Sequence, residues 1–141
     1  MDNQVSQYQS LPGNMLYNNL ISNIEQGQIK IPQFQRKFVW SIEETAGLID
    51  SILKGYPIGT FIIWETNDRL RSVRNIGNFQ FPDTPDGNTV QYVLDGQQRM
   101  TSLYVALRGA KLEDDNGQIT DYSEIYVNLS AKSDDSLVLT D

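Results

Sequence analysis

The chain has 141 residues, a net charge of −7, no cysteine and no histidine. That length points to one domain able to bury roughly 70% of its unfolded surface. The missing residue types exclude disulfides, thiolate chemistry, cysteine- or histidine-ligated metals, histidine general bases and the Ser-His-Asp arrangement, and the acidic balance argues against gripping nucleic acid through bulk charge.

Residues 1–13 are polar, contain Pro12-Gly13 and read as a flexible leader. The start, Met1-Asp2-Asn3-Gln4, lacks the basic and apolar regions of a signal peptide. No apolar run is long enough to span a bilayer, so no membrane partner is expected and the expected location is cytoplasmic. Tyr17, Leu20, Ile21 and Ile24 recur at helical spacing until Gly27, predicting a helix near 15–26. Ile29-Lys30-Ile31-Pro32 reads as a short strand entering the segment 33–40. Ser41 and Glu44 form a capping box for a helix over 42–54. Ile42, Ala46, Ile49 and Leu53 make its stripe, widened by Leu48 and Ile52, and Lys54, Gly55 and Pro57 end it. Thr60-Phe61-Ile62-Ile63-Trp64 reads as a buried strand, with Trp40 and Trp64 in the core. Arg69, Arg71 and Arg74 alternate with other residues and read as a solvated strand face or as nucleic-acid contacts. Pro82, Pro85 and Asp86-Gly87 mark turns.

Residues 89–94 are the next strand, followed by a helix over 99–108 with Met100, Leu103, Tyr104 and Leu107 on one face, closed by Gly109. Asp115-Asn116-Gly117 is a turn rather than a calcium loop, because the later ligands are absent. Residues 124–129 alternate like a half-buried strand. The whole reads as α+β, a small mixed sheet with flanking helices. A single domain is expected over 14–130 and an acidic tail over 131–141, whose unpunctuated end suggests truncation from a longer protein.

The strongest chemical signal is Asp95-Gly96-Gln97-Gln98-Arg99, a strand–turn–helix corner. Free N–H groups and the positive dipole end of a helix start favour an anion there. Gly96 admits close approach, Arg99 offers a planar fork for phosphate, and Thr101 and Ser102 add hydroxyls. Asp95 suits Mg²⁺ or the attacking water, and Gln97 or Gln98 suits water placement. The bland alternative is a capped helix start with Arg99 in a surface ion pair. Gln35 and Arg36, held between Phe34 and Phe38, read either as a second phosphate contact or as a solvated loop. Tyr56-Pro57-Ile58-Gly59 reads mainly as a helix stop.

Taken together, Ile31-Pro-x-Phe-Gln-Arg36, the following Phe and Trp40, Tyr56-Pro-Ile-Gly59 and Asp95-Gly-Gln-Gln-Arg99-x-Thr-Ser-Leu103 resemble the N-terminal domain of GmrSD-type restriction proteins. That family was long known only as a domain of unknown function and is similar to the ParB/sulfiredoxin-like fold. The resemblance spans roughly residues 16–107. It implies a nucleotide-binding, nucleotide-hydrolysing module of bacterial anti-phage defence, using a nucleoside triphosphate and Mg²⁺. It places phosphate contacts on Gly96 and Arg99, and on Gln35 and Arg36. The reading of the corner's own residues adds catalysis by Asp95, Gln97, Gln98 and Arg99, with Asp95 on the metal. Implied partners are DNA through the full-length protein, a C-terminal nuclease domain or partner subunit, and further copies of the chain. The nuclease of such proteins uses histidine, and this chain has none. The rival reading is a non-catalytic module whose same cradle grips DNA backbone, aided by Arg69, Arg71 and Arg74, or binds a partner protein.

Overall fold

Strand pairing centres on the stretch just before the corner. The computed structural model describes residues 15–33, 38, 40–132 and 135–140. The leader expected over 1–13, together with Gln35 and Arg36, lies outside them. The first helix, α1, spans Tyr17–Glu25 and buries Leu20, Ile21 and Ile24. Gly27, at φ 78°, turns the chain out of it into β1, Ile29–Lys30. The second helix, α2, spans Ile42–Leu53; Ser41 Oγ accepts from the Glu44 N–H at 3.1 Å, one half of the expected capping box. The strand β2, Ile62–Thr66, follows. A short hairpin of β3, Asn75–Ile76, and β4, Phe79–Gln80, precedes β5, Val90–Asp95, and α3, Gln97–Arg108. The chain then makes a hairpin of β6, Lys111–Glu113, and β7, Ile119–Asp121, and a second of β8, Ile125–Val127, and β9, Val138–Thr140.

In the three-stranded sheet β5 is central. It runs parallel to β1, with Lys30 opposite Tyr92, and antiparallel to β2, with Trp64 opposite Tyr92 and Ile62 opposite Asp95. The sheet is therefore mixed, and the fold is α+β with three helices, as the periodicities imply. Helix α3 carries the centre of the core: Met100, Leu103, Tyr104 and Val105 are buried, and burial of side chains this size contributes about 1.5–3 kcal/mol each. Tyr104 meets Phe79 and Phe81 edge-on at 5.7 and 5.2 Å.

Several expectations change. The strand expected to be buried over 60–64 begins at Ile62 and lies at the edge of the sheet, with none of its residues fully buried. Ile62 is 55% and Trp64 40% exposed, Trp64 resting against Tyr92 with ring centroids 6.3 Å apart. Trp40 is half-buried rather than enclosed. Leu53 and Leu107 are exposed in the last turns of α2 and α3, where the helical stripe runs past its neighbours. Within the segment read as an acidic tail, β9 packs on α2. There Asp50 Oδ1 accepts the N–H groups of Leu137 at 2.6 Å and Val138 at 3.2 Å. The expected turn at 115–117 joins β6 to β7, with Asp114 Oδ1 accepting from the N–H groups of Asn116 and Gln118.

Candidate functional site

At the carboxyl end of β5 the chain turns through Gly96, whose φ of 89° is left-handed. A Cβ there would lie 2.5 Å from Phe61 Cδ1 and 3.0 Å from an Arg99 nitrogen. Glycine is thus required twice, by backbone conformation and by close approach. It also leaves α3 without a side-chain cap. The first N–H groups of any helix lack intrahelical carbonyls, and the residues of this corner, 94–99, line a hollow of about 260 Å³ together with Trp40.

The guanidinium of Arg99 is the organising group. Its two terminal nitrogens donate to Ile58 O at 2.9 Å and Thr60 O at 2.8 Å. Its carbon lies 4.9 Å from the centroid of the Phe61 ring, within cation–π range. Gly59, at φ 97°, makes room: a Cβ there would come within 2.5 Å of the guanidinium. Arg99 therefore fastens the loop after α2 to the start of α3, so the alternative of a surface ion pair gives way to a clamp on carbonyls. A guanidinium has five donors, and Arg99 still borders the hollow.

The other expected residues fall into two groups. Asp95 is exposed and, with Gly96 and the half-buried Gln98, borders the hollow. Gln97 also touches it but is nearly buried, its amide nitrogen donating to Val93 O at 2.7 Å. Thr101 and Ser102 are buried. The Thr45 hydroxyl on α2 donates to that of Ser102 at 3.4 Å, which places Ser102 in the α2–α3 interface, away from the hollow. Among the described residues no group of three or more carboxylates gathers into a metal cage, so any cation here rests on Asp95 and its ligand's oxygens. Arg69, Arg71 and Arg74 line a different groove that shares no residue with this hollow. The structure thus separates the two halves of the rival cradle. Reading the sequence missed the Arg99–Gly59 lock; its only trace was a Gly at 59 and an Arg at 99 in motifs forty residues apart.

The sequence model of the family described as GmrSD restriction endonuclease, N-terminal domain, matches residues 17–139. The chain belongs to that family. The match takes in all three helices, the corner and all but the last residue of the C-terminal hairpin. A relative, the uncharacterized protein MJ0686 of Methanocaldococcus jannaschii, is 36% identical over 93 residues, covering 63% of this chain and 16% of the relative. The chain thus spans about a sixth of the length of the curated relative it matches. No solved structure matches it. No helix among the described residues is long and apolar enough to cross a membrane.

Proposed function

We propose that this GmrSD N-terminal domain binds a nucleoside triphosphate at the start of α3 and, in the intact restriction protein, hydrolyses it to regulate defence against phage DNA. The observation that carries this reading is the uncapped start of α3 opening on a hollow flanked by the Asp95 carboxylate and the Arg99 guanidinium. A hollow near 260 Å³ suits the phosphate end of a nucleotide better than a whole nucleoside, since small-molecule pockets usually run from about 300 Å³ upward.

The backbone N–H groups of α3 would take phosphate oxygens, and the positive charge of Arg99, already fixed by its two carbonyls, would stabilise them without reorganisation. Gln98, half-buried at the edge of the hollow, suits water placement. Asp95 is the group to hold Mg²⁺, which would supply charge neutralisation at the phosphates. The resemblance adds Gln35 and Arg36 as further phosphate contacts and the ParB/sulfiredoxin-like comparison as a parallel for a glycine–arginine corner. Positioning and charge would carry the hydrolysis. In this reading the nuclease, the DNA it cuts and any further copies of the chain are reached through the full-length protein, in the cytoplasm.

Calorimetry with ATP, GTP and CTP tests it. At least one nucleotide should bind with Mg²⁺ present. Asp95→Asn should remove the Mg²⁺ dependence, and Arg99→Ala should weaken binding by about 1.5–3 kcal/mol, the scale of a charged hydrogen bond. Equal affinity in wild type and both variants, or no binding of any of the three, refutes the assignment.

A further inference from the structure

A second concavity, larger than the hollow at the corner, includes Lys30 and its strand partner Tyr92 in its lining. It measures about 650 Å³ and is lined by Lys30, Arg69, Arg71 and Arg74, with Gln33 between them. In a chain of net charge −7 with only eleven Lys and Arg, that gathering of cations is far above an even spread. Asp83 and Asp86 also line it, yet none of the four cations is in a salt bridge among the described residues.

The cations are held by a built wall. Gln33 N–H donates to Arg71 O and Val73 N–H to Ile31 O, joining the arginine segment to the end of β1. The Tyr92 hydroxyl accepts from Leu70 N–H at 2.7 Å, pinning that segment to β5. Arg69, Leu70 and Arg71 all line the groove beside Tyr92. Arg69 donates to Asn67 O and Asn88 O, and Lys30 to Pro82 O at 2.9 Å. Arg71 and Arg74 are exposed and meet no acceptor among the described residues. Burial, and then the neighbouring Arg74 and Arg69, push the Lys30 amine below its usual value, partly offset by Asp83. Like charges gathered without a salt bridge of their own are stabilised by an anion that spans them, even beside Asp83 and Asp86.

We propose that this groove is a second binding site, separate from the corner, that takes consecutive phosphates of a nucleic-acid backbone through Arg71, Arg74, Arg69 and Lys30. A groove of about 650 Å³ lined by four cations has room for more than one phosphate. Three of the four cations are arginines, whose forks match phosphate oxygens. Phosphate contacts position a nucleic acid without reading its bases, so recognition through these cations is of backbone and not of sequence.

Fluorescence anisotropy of the whole chain with a short labelled DNA duplex and the matching single strand, without nucleotide, tests the groove independently of the corner. Binding should be indifferent to sequence and fall steeply with salt. The double variant Arg71→Gln/Arg74→Gln should bind about tenfold more weakly and lose about two from the salt slope, as two phosphate contacts vanish. Lys132→Ala, which removes an exposed cation outside the groove, should change affinity less than about twofold. A paired Arg71→Lys/Arg74→Lys variant keeps the charge and should retain most of the binding, guarding against a folding artefact. Unchanged binding in the Gln variant overturns the proposal. So does displacement of DNA by inorganic phosphate or Mg-ATP at equal phosphate concentration, which would make the groove a small-anion site.

Discussion

A guanidinium that holds two carbonyls of a neighbouring loop and lies on a phenyl ring does work that neither charge nor length alone can replace. Arg99→Ala should therefore lower stability as well as weaken anion binding, by about 1.5–3 kcal/mol for the lost charge-assisted hydrogen bonds, read as a shift in the urea midpoint. Arg99→Lys should recover only part of this, because one ammonium cannot serve Ile58 O and Thr60 O in the fixed geometry of a fork. A stability equal to wild type in both variants would show that the clamp is not formed in solution. The residue types of the corner were legible in the sequence, since a carboxylate, a glycine, two amides and an arginine in one turn are hard to explain by packing. Their division of labour was not. Whether Arg99 faces outward or back to residues 58–60, and whether Gln97 or Gln98 turns inward, depends on what folds against the corner. Nothing in the five residues encodes that.

The helices follow directly from local rules. Each has an apolar period near 3.6, and α2 adds a serine cap at one end and a glycine at the other, so its limits were readable to within a residue. The hairpins β3–β4 and β6–β7 have strands of two or three residues, too short for alternation to register. The C-terminal hairpin depends on a single side chain of α2. Asp50 accepts two N–H groups of the β9 approach and pairs with Lys54 at 2.9 Å. The Lys54 ammonium first, and the two N–H groups with it, hold the Asp50 carboxyl below its usual 3.8. A carboxyl lowered in the folded state stabilises it above the unfolded value and loses that effect as pH falls through the folded one. Hydrogen exchange at Leu137 and Val138 should thus accelerate in Asp50→Ala at neutral pH, and in wild type only below pH 3.8. Protection at β5 should persist in both. Slow exchange at 137 and 138 in the variant would place the anchor elsewhere.

Across the molecule, acid should act in the same direction. Glu25 is lowered from 4.5 by its fork with Arg108, whose nitrogens donate at 2.8 and 3.1 Å, tying α1 to α3. Asp121 is lowered from 3.8 by Ser123, whose hydroxyl and N–H both donate to it. With Asp50, these carboxyls bind fewer protons folded than unfolded, so the thermal midpoint should hold near neutrality and fall once pH drops below 4.5. A midpoint that rises on acidification would contradict the assigned pairings. The basic groove belongs to this scale as well: a net acidic chain hides it from any argument based on total charge, because it forms only when Lys30 meets residues forty positions later. Pairing order carries one last consequence. The sheet's outer strands, β1 and β2, touch only β5, which begins at Val90. A chain emerging from the ribosome can therefore coil α1 and α2 early, but it must wait for Val90 before any of that sheet can assemble, so β1 and β2 travel unpaired and in need of shelter until β5 arrives.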